Sequence, residues 1–305
     1  MEKKLQGPSN EEVLGKIKSF CNASFYENVA SSPMTDRFYK VAINLSKVLK
    51  RVENGESVTI VDTGGGGGKI YDMMAKGVGK ELLKKVNYVS IDKSRVQLGT
   101  DKLKSRVVGD MMHLPLENST AHAVFLLNPP SLTGVIEKYI ARTKPASIMQ
   151  IEEDNGVQVF LHITDGAFNM LNVLEGVRVM RDDGIMVGGL PFRKGELKDL
   201  ETILKRTRNN LRRNGVNIGP IPIEIKESRI IELDWRVMSL WDKYGIDIDW
   251  PKFRLDSYVK TGAKLDDWFK NIGNTLNFGL GELAKTDRFW EIMDEMRKEK
   301  AKSKG

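Results

Sequence analysis

The most informative stretch of the sequence is VTIVDTGGGGGK, residues 58–69, in which a strand pattern leads directly to a glycine-rich loop. The strand is rich in β-branched residues and ends at Asp62, and five glycines, Gly64 to Gly68, then open a helical pattern. Glycine suits a backbone that must turn tightly and let a ligand approach closely. The helix that follows presents unpaired N–H groups to that ligand. The stretch therefore predicts a ligand-binding loop at the carboxyl end of a buried strand.

Two common nucleotide-binding loops do not fit this stretch. A P-loop needs a hydroxyl residue after its lysine, and here Lys69 is followed by Ile70. A dinucleotide fingerprint, G-x-G-x-x-G, needs a third glycine, which would fall on Lys69 or Ile70. The pattern that fits is D-x-G-x-G-x-G, at Asp62, Gly64, Gly66 and Gly68. A flexible loop that binds nothing is the alternative interpretation.

Predicted strands alternate with helical patterns on both sides of this loop. Strands are expected at 57–62, 86–92, 105–110, 123–128 and 184–190. Such alternation favours a mostly parallel sheet covered by helices on both faces. The segments 222–231 and 235–242 are expected to close the sheet as an antiparallel hairpin.

The loop and three later motifs resemble the class I S-adenosylmethionine-dependent methyltransferases. The later motifs are YVSID, which ends at Asp92, the stretch VVGDMMHLP, which contains Asp110 and Met111, and VRVMRDDGIMVGG. All four follow the order of that family and span about 130 residues. The resemblance implies a Rossmann-like, doubly wound, mostly parallel seven-stranded sheet with an antiparallel C-terminal hairpin.

The resemblance also divides the chain. It assigns 34–243 to the cofactor-binding core, with an N-terminal extension at 1–33 and a helical C-terminal extension at 244–305. The stretch 131–160 is longer than a normal connection between a strand and a helix, so we interpret it as an insertion that forms a lid or a substrate surface.

The resemblance implies S-adenosylmethionine (SAM) as cofactor and assigns a role to each matching residue. The residues that would hold its methionine end are Asp62, Gly64, Gly66 and Gly68. Asp92 would hold the ribose, because two carboxylate oxygens can accept from two vicinal hydroxyls. Asp110 would accept from the adenine amino group, and Met111 would pack on the purine. As alternatives, Asp92 caps a helix and Met111 fills the core.

The fourth predicted strand ends in Asn128-Pro129-Pro130-Ser131. This resembles the (D/N)-P-P-(Y/F/W) motif of methyltransferases that modify exocyclic base amines or the glutamine amide. There the Asn oxygen and a carbonyl fixed by proline accept from the target NH₂. The fourth position is Ser131 instead of an aromatic residue, so the usual stacking platform is absent. A strand that is simply broken by the prolines is the alternative.

Basic residues exceed acidic ones by 48 to 41, and 193–213 is one of the most basic segments. Phe192, Arg193 and Lys194 directly follow the fifth predicted strand. Ligands of such sheets bind at the carboxyl ends of the strands, so these three residues are candidate contacts for a nucleic-acid strand or an acidic small molecule. A solvated helix face is the alternative explanation of the charge.

The composition narrows the class of protein. No apolar run reaches the roughly 20 residues of a membrane span, and no apolar signal stretch opens the chain, so we expect a cytoplasmic protein without a membrane partner. One cysteine and three histidines argue against a zinc site, and we expect no metal.

We predict methyl transfer from SAM to an amine of a nucleic-acid base. A small-molecule or protein N- or O-methyltransferase and a non-catalytic SAM-binding module are the alternatives.

Overall fold

The computed structural model describes residues 8–20, 36–65, 68–92, 105–127, 133–191, 199–232 and 252–302. The helices are α1 (Asn10–Phe20), α2 (Asp36–Ser46), α3 (Val48–Glu53), α4 (Lys69–Gly77), α5 (Lys80–Leu83), α6 (Gly134–Arg142), α7 (Ile148–Val179), α8 (Leu200–Arg213), α9 (Asp266–Lys285) and α10 (Asp287–Lys302). The strands are β1 (Val58–Thr63), β2 (Val86–Asp92), β3 (Ser105–Val108), β4 (Ala121–Leu126), β5 (Met180–Pro191), β6 (Ile223–Glu232) and β7 (Lys252–Lys260).

The seven strands form one sheet in the order β3-β2-β1-β4-β5-β7-β6. Strands β1 to β5 are parallel to their neighbours, and β7 runs antiparallel to both β5 and β6. The first five strands thus have the order of a doubly wound sheet, in which the chain reverses direction across the sheet between β1 and β4. The predicted fold class, including its antiparallel end, is confirmed.

The partner of β6 differs from the one that the sequence suggested. β6 pairs with β7, from Ile223 opposite Lys260 to Glu232 opposite Lys252. The expected partner, 235–242, lies outside the described residues. Because β7 begins nine residues after the proposed core boundary at 243, the sheet includes chain that the sequence analysis assigned to the C-terminal extension.

The chain divides into two compact units. The sheet lies in the unit formed by residues 23–129 and 171–269. The other unit takes residues 1–22, 130–170 and 270–305. In this second unit, helix α10 is joined to the beginning of α7 by a buried ion pair of 2.7 Å between Arg288 Nε and Asp154 Oδ1.

Helix α2 packs on the sheet through an apolar stripe. Phe38, Ala42 and Leu45 recur at helical spacing and are buried. The ring of Phe38 meets that of Phe253 in β7 edge to face, with centroids 4.9 Å apart. This packing covers one face of the sheet, and the same buried cluster includes Val58 and Ile60 of β1.

Candidate functional site

The turns after β1 and β3 lie at the carboxyl ends of these strands, on either side of β2 in the sheet. The backbone N–H of Gly64, just after β1, donates to the carbonyl of Ile91 at 2.7 Å. The N–H of Gly109, just after β3, donates to the carbonyl of Asp92 at 3.1 Å. The end of β2 therefore fixes the loops on both sides of it, and it brings the acidic residues predicted from the sequence to one edge of the sheet.

Asp62 is buried near the end of β1 and accepts a hydrogen bond from the hydroxyl of Tyr88 on β2. Burial is the main reason that the pKa of the Asp62 carboxyl rises from 3.8 to about 7. The negative charge of Asp92 raises this pKa further, and the Tyr88 hydrogen bond lowers it. Asp62 therefore holds its proton more tightly than a solvated aspartate does.

The described glycines of the loop serve the turn in different ways. Gly64 and Gly68 have φ angles of +70° and +77°, which residues with a side chain rarely adopt. A methyl group at Gly65 would lie 2.6 Å from Cγ of Asp62 and 2.7 Å from Oγ of Ser90. The loop backbone thus lies directly on the side chains at the ends of β1 and β2, which only glycine permits.

Lys69, which follows the glycines, forms a salt bridge within the fold. Its Nζ lies 2.8 Å from Oδ1 of Asp36 in α2. The ion pair holds the start of α4 against α2. This contact gives the lysine a role that needs no phosphate, in agreement with the poor match to a P-loop.

Asp110 and Met111 lie in the turn after β3. One oxygen of the Asp110 carboxylate accepts from the N–H of Met112 at 3.0 Å, which fixes the turn. Met111 is half-buried, and a methyl group at Gly64 would lie 3.4 Å from its sulfur. The methionine therefore contacts the glycine loop, and both residues stand beside Asp92 at the sheet edge.

Several predicted site residues lie outside the described residues. They are Gly66 of the loop, the motif residues Asn128, Pro129 and Pro130, and the candidate substrate contacts Phe192, Arg193 and Lys194. The described chain reaches Leu127 on one side of the motif and resumes at Thr133.

The structure adds Tyr88 and Ser90 to the site, which the sequence analysis did not single out. Tyr88, Ser90 and Asp92 alternate along β2 and therefore point to one face of the sheet. Ser90 stands opposite Asp62 in the parallel pair, so all of these side chains share that face. The alternation of polar and apolar residues in YVSID was the signal that could have identified them.

Two of the histidines, His122 and His162, make contacts away from the candidate site. His122 accepts from the N–H of Thr59 at 3.0 Å through Nδ1, and burial is the main cause of its lowered pKa. His162 is exposed in the other unit, where it lies 3.3 Å from Glu137. Among the described residues, no group of three His, Cys, Asp or Glu side chains could hold a metal ion, and no helix is long and apolar enough to cross a membrane.

No protein-family model matches the chain, and no curated protein is detectably similar to it in sequence. Many solved structures resemble it in architecture. The cyclase SpnF is 13% identical with a TM-score of 0.43, and the match covers 83% of this chain and 96% of SpnF. Magnesium protoporphyrin IX methyltransferase from Synechocystis PCC 6803, with bound SAM, is 9% identical with a TM-score of 0.42, covering 82% and 97%.

The N-methyltransferase NodS from Bradyrhizobium japonicum WM9, in complex with S-adenosylhomocysteine, is 10% identical with a TM-score of 0.39, covering 83% of this chain and all of NodS. Identities this low say nothing about a substrate. The sheet order and the turns at the carboxyl ends of β1 and β3 come from the chain itself, and they agree with the resemblance seen in its motifs. The chain therefore has the Rossmann-like fold of the class I SAM-dependent methyltransferases.

Proposed function

We propose that the chain is an enzyme that transfers the methyl group of SAM to an amine of a nucleic-acid base. The observation that supports the cofactor is the convergence of Asp62, Asp92 and Asp110 on one edge of the sheet, around a glycine loop tied to β2. Carboxylates suit the hydrogen-bond donors of SAM, which are an ammonium group, a ribose diol and an adenine amine.

The residues present fit these three parts of SAM. Asp92, 8% exposed at the end of β2, would accept from the ribose hydroxyls. The carboxylate of Asp110 has lone pairs beyond the one that Met112 uses, and Met111 offers a polarizable surface to the purine. Asp62 and the loop would hold the methionine end, where a bound ammonium favours the ionised form of Asp62.

The acceptor half of the proposal rests on Asn128, Pro129 and Pro130. When bound, SAM supplies a methyl group on a sulfonium, which is already reactive. The Asn128 side-chain oxygen and a carbonyl fixed by proline would accept the two amine hydrogens and direct the nitrogen lone pair at the methyl carbon. The C–N bond forms as the C–S bond breaks, the electron pair stays on sulfur, and the nitrogen then releases one proton to solvent.

A nucleic acid is favoured as the carrier of that amine by the charge next to the motif. Arg193 and Lys194 follow β5 with Phe192 beside them, and 193–213 contains eight basic and three acidic residues. Ser131, in place of an aromatic, is the feature that favours the second candidate function, a small-molecule or protein methyltransferase.

The cofactor is tested by titrating purified protein with SAM in a calorimeter. We expect binding in the micromolar range and a loss of at least about tenfold in Asp92→Ala, because a bidentate contact to the ribose is removed. Asp182→Ala is the control, since Asp182 is 95% exposed. Wild-type protein that does not bind SAM, or equal binding by wild type and Asp92→Ala, would refute the proposal.

The acceptor class is tested by incubating the protein and methyl-labelled SAM with a cell extract. Label in RNA or DNA supports the proposed acceptor, and label in protein or small molecules supports the second candidate. SAM binding without label in any fraction would indicate the non-catalytic module.

A further inference from the structure

Thr133, the first described residue after the Asn-Pro-Pro motif, is held by all of its polar groups and is 0% exposed. Its carbonyl accepts from the N–H of Ile136 at 2.9 Å and from that of Glu137 at 3.1 Å, where α6 begins. Its N–H donates to Oδ1 of Asp165 at 3.4 Å. Its hydroxyl donates to Oε1 of Glu137 at 3.1 Å, with the carbonyl of Leu161 at 3.4 Å. The backbone at this residue is therefore fixed against α7 as well as within α6.

These contacts differ from those of an ordinary helix cap. A threonine that caps a helix turns its side-chain oxygen to the N–H groups of the first turn. Thr133 directly precedes α6, yet its side chain accepts from none of these groups. The hydroxyl is instead directed at the side chain of Glu137 and at a carbonyl of α7. A buried threonine used in this way is better suited to holding its own backbone in place than to starting a helix.

The position of Thr133 in the chain connects it to the proposed chemistry. Only two residues separate it from Pro130, so three peptide units join them. Such a connection spans at most about 11 Å. On the other side of the motif, Leu126 of β4 pairs with Gly188 of β5. The motif therefore belongs to a short segment that is anchored at both ends, and such anchoring limits the conformations open to a chain.

We infer that Thr133 is a positioning residue for methyl transfer, which fixes the carboxyl end of the Asn-Pro-Pro motif through Glu137 and α7. This inference rests on the proposed function, in which Asn128 and a carbonyl fixed by proline direct the nitrogen lone pair at the methyl carbon. In this role Thr133 acts through the motif and not on the substrate itself. A displacement of reacting groups by about 1 Å can lower a rate by about 100-fold, so a fixed motif matters for transfer.

The rate of the transfer step tests this role. Protein saturated with methyl-labelled SAM is mixed with RNA and heat-denatured DNA purified from a cell extract, and the label transferred in a single turnover is followed in time. Thr133→Val keeps the branched shape and removes the hydroxyl. We expect its rate to fall at least about tenfold, with an unchanged affinity for S-adenosylhomocysteine. Thr133→Ser keeps the hydroxyl and should restore most of the rate.

Thr164→Val is the matched control. Thr164 is also 0% exposed and belongs to the same compact unit, and its hydroxyl donates to the carbonyl of Phe160 at 2.8 Å. That hydroxyl faces α9, because a methyl group at Gly279 would lie 2.6 Å from it. Each valine variant loses a buried hydrogen bond, so we expect similar small falls in melting temperature. Only Thr133→Val should transfer slowly.

Glu137→Leu removes the acceptor of the Thr133 hydroxyl and leaves Thr133 itself unchanged, so we expect a loss of rate of the same kind. This variant provides the answer if Thr133→Val does not fold. An unchanged rate in either variant, or an equal loss of rate in Thr164→Val, overturns the inference about Thr133. Wild type that does not bind S-adenosylhomocysteine, or that labels neither RNA nor DNA, refutes the proposed function on which the inference depends.

Discussion

At Asp62, the requirements of folding and of the proposed ligand oppose each other. The carboxyl is buried beneath the glycine loop, and burial favours its protonated form. The hydrogen bond from Tyr88 and a bound ammonium favour the ionised form. A carboxyl whose pKa is raised by burial can respond to the arrival of a cation, whereas a fully solvated aspartate is already ionised at neutral pH.

The raised pKa of Asp62 makes stability depend on pH. The folded state binds a proton more tightly than the unfolded chain does between pH 4 and pH 7, so the free energy of unfolding falls as the pH rises through that range. The contribution is at most about 4 kcal/mol. Urea unfolding at a series of pH values should show this fall in wild type and a flatter profile in Asp62→Asn. The same fall in Asp62→Asn would contradict the assignment, and Asp182→Asn is the control.

Tyr88→Phe tests the hydrogen bond separately. The substitution removes the hydroxyl that donates to Asp62, so the pKa of the carboxyl should rise further. We expect a loss of about 1–3 kcal/mol in the free energy of unfolding at pH 8, where Asp62 is ionised, and a smaller loss at pH 5. Equal losses at the two pH values would show that the hydroxyl does not act through the charge of Asp62.

At the scale of the structural elements, the loop between β1 and α4 has no room for a side chain at Gly65. Gly65→Ala would force a methyl group to 2.6 Å from Asp62, and Ser90 is fully buried on the other side. We expect a loss of about 1–3 kcal/mol in the free energy of unfolding, together with weaker binding of S-adenosylhomocysteine. Chemical unfolding and calorimetry measure the two effects.

Gly77→Ala is the matched control for the loop variant. Gly77 ends α4, and nothing lies within 4 Å of where its methyl group would be. Because alanine favours a helix over glycine by up to about 1 kcal/mol, we expect unchanged or slightly higher stability and normal ligand binding. Equal losses in the two variants would mean that close packing under the loop is not the cause.

The elements that the sequence predicted well are those with a strong local pattern. The β-branched run of β1, the apolar run of β4 and the glycines after β1 indicate the parallel half of the sheet. The sequence also predicted that Asp62, Asp92 and Asp110 lie at strand ends. Each of these signals lies within a few residues and needs no distant partner.

β7 was missed because its strand character depends on distant contacts. Its sequence, KFRLDSYVK, contains four charged residues and a serine, whereas 235–242 is more apolar and nearer to β6. In the sheet, Phe253 stands opposite Pro191 and Leu255 stands opposite Gly189 of β5, and the side chains of Phe253 and Leu255 are fully buried. No local pattern in the sequence indicates such a pairing. The amide of Asn172 in α7, which is buried and has no hydrogen-bond partner among the described residues, is likewise visible only in three dimensions.

For the whole molecule, the proposed nucleic-acid substrate predicts that the position of the basic residues matters as well as their number. α8 is 14 residues long and thus about 21 Å from end to end. Arg193 and Lys194 precede it in the chain, directly after β5, and Arg212 and Arg213 lie in its last turn. The two pairs carry equal charge, but one pair precedes α8 in the chain and the other lies in its last turn. Substituting each pair in turn therefore separates the effect of position from the effect of net charge.

If the proposed nucleic acid follows the carboxyl edge of the sheet, only the first pair should contact its phosphates. Each contact to a single strand adds about 0.7 to the slope of log affinity against log salt concentration. We therefore expect Arg193→Ser/Lys194→Ser to reduce that slope by about 1.4, measured by anisotropy with a single-stranded oligomer between low and moderate salt. Arg212→Ser/Arg213→Ser removes the same charge and should leave the slope nearly unchanged. Equal reductions would mean that the protein attracts the strand by overall charge alone, and the basic residues after β5 would then have no special part in substrate binding.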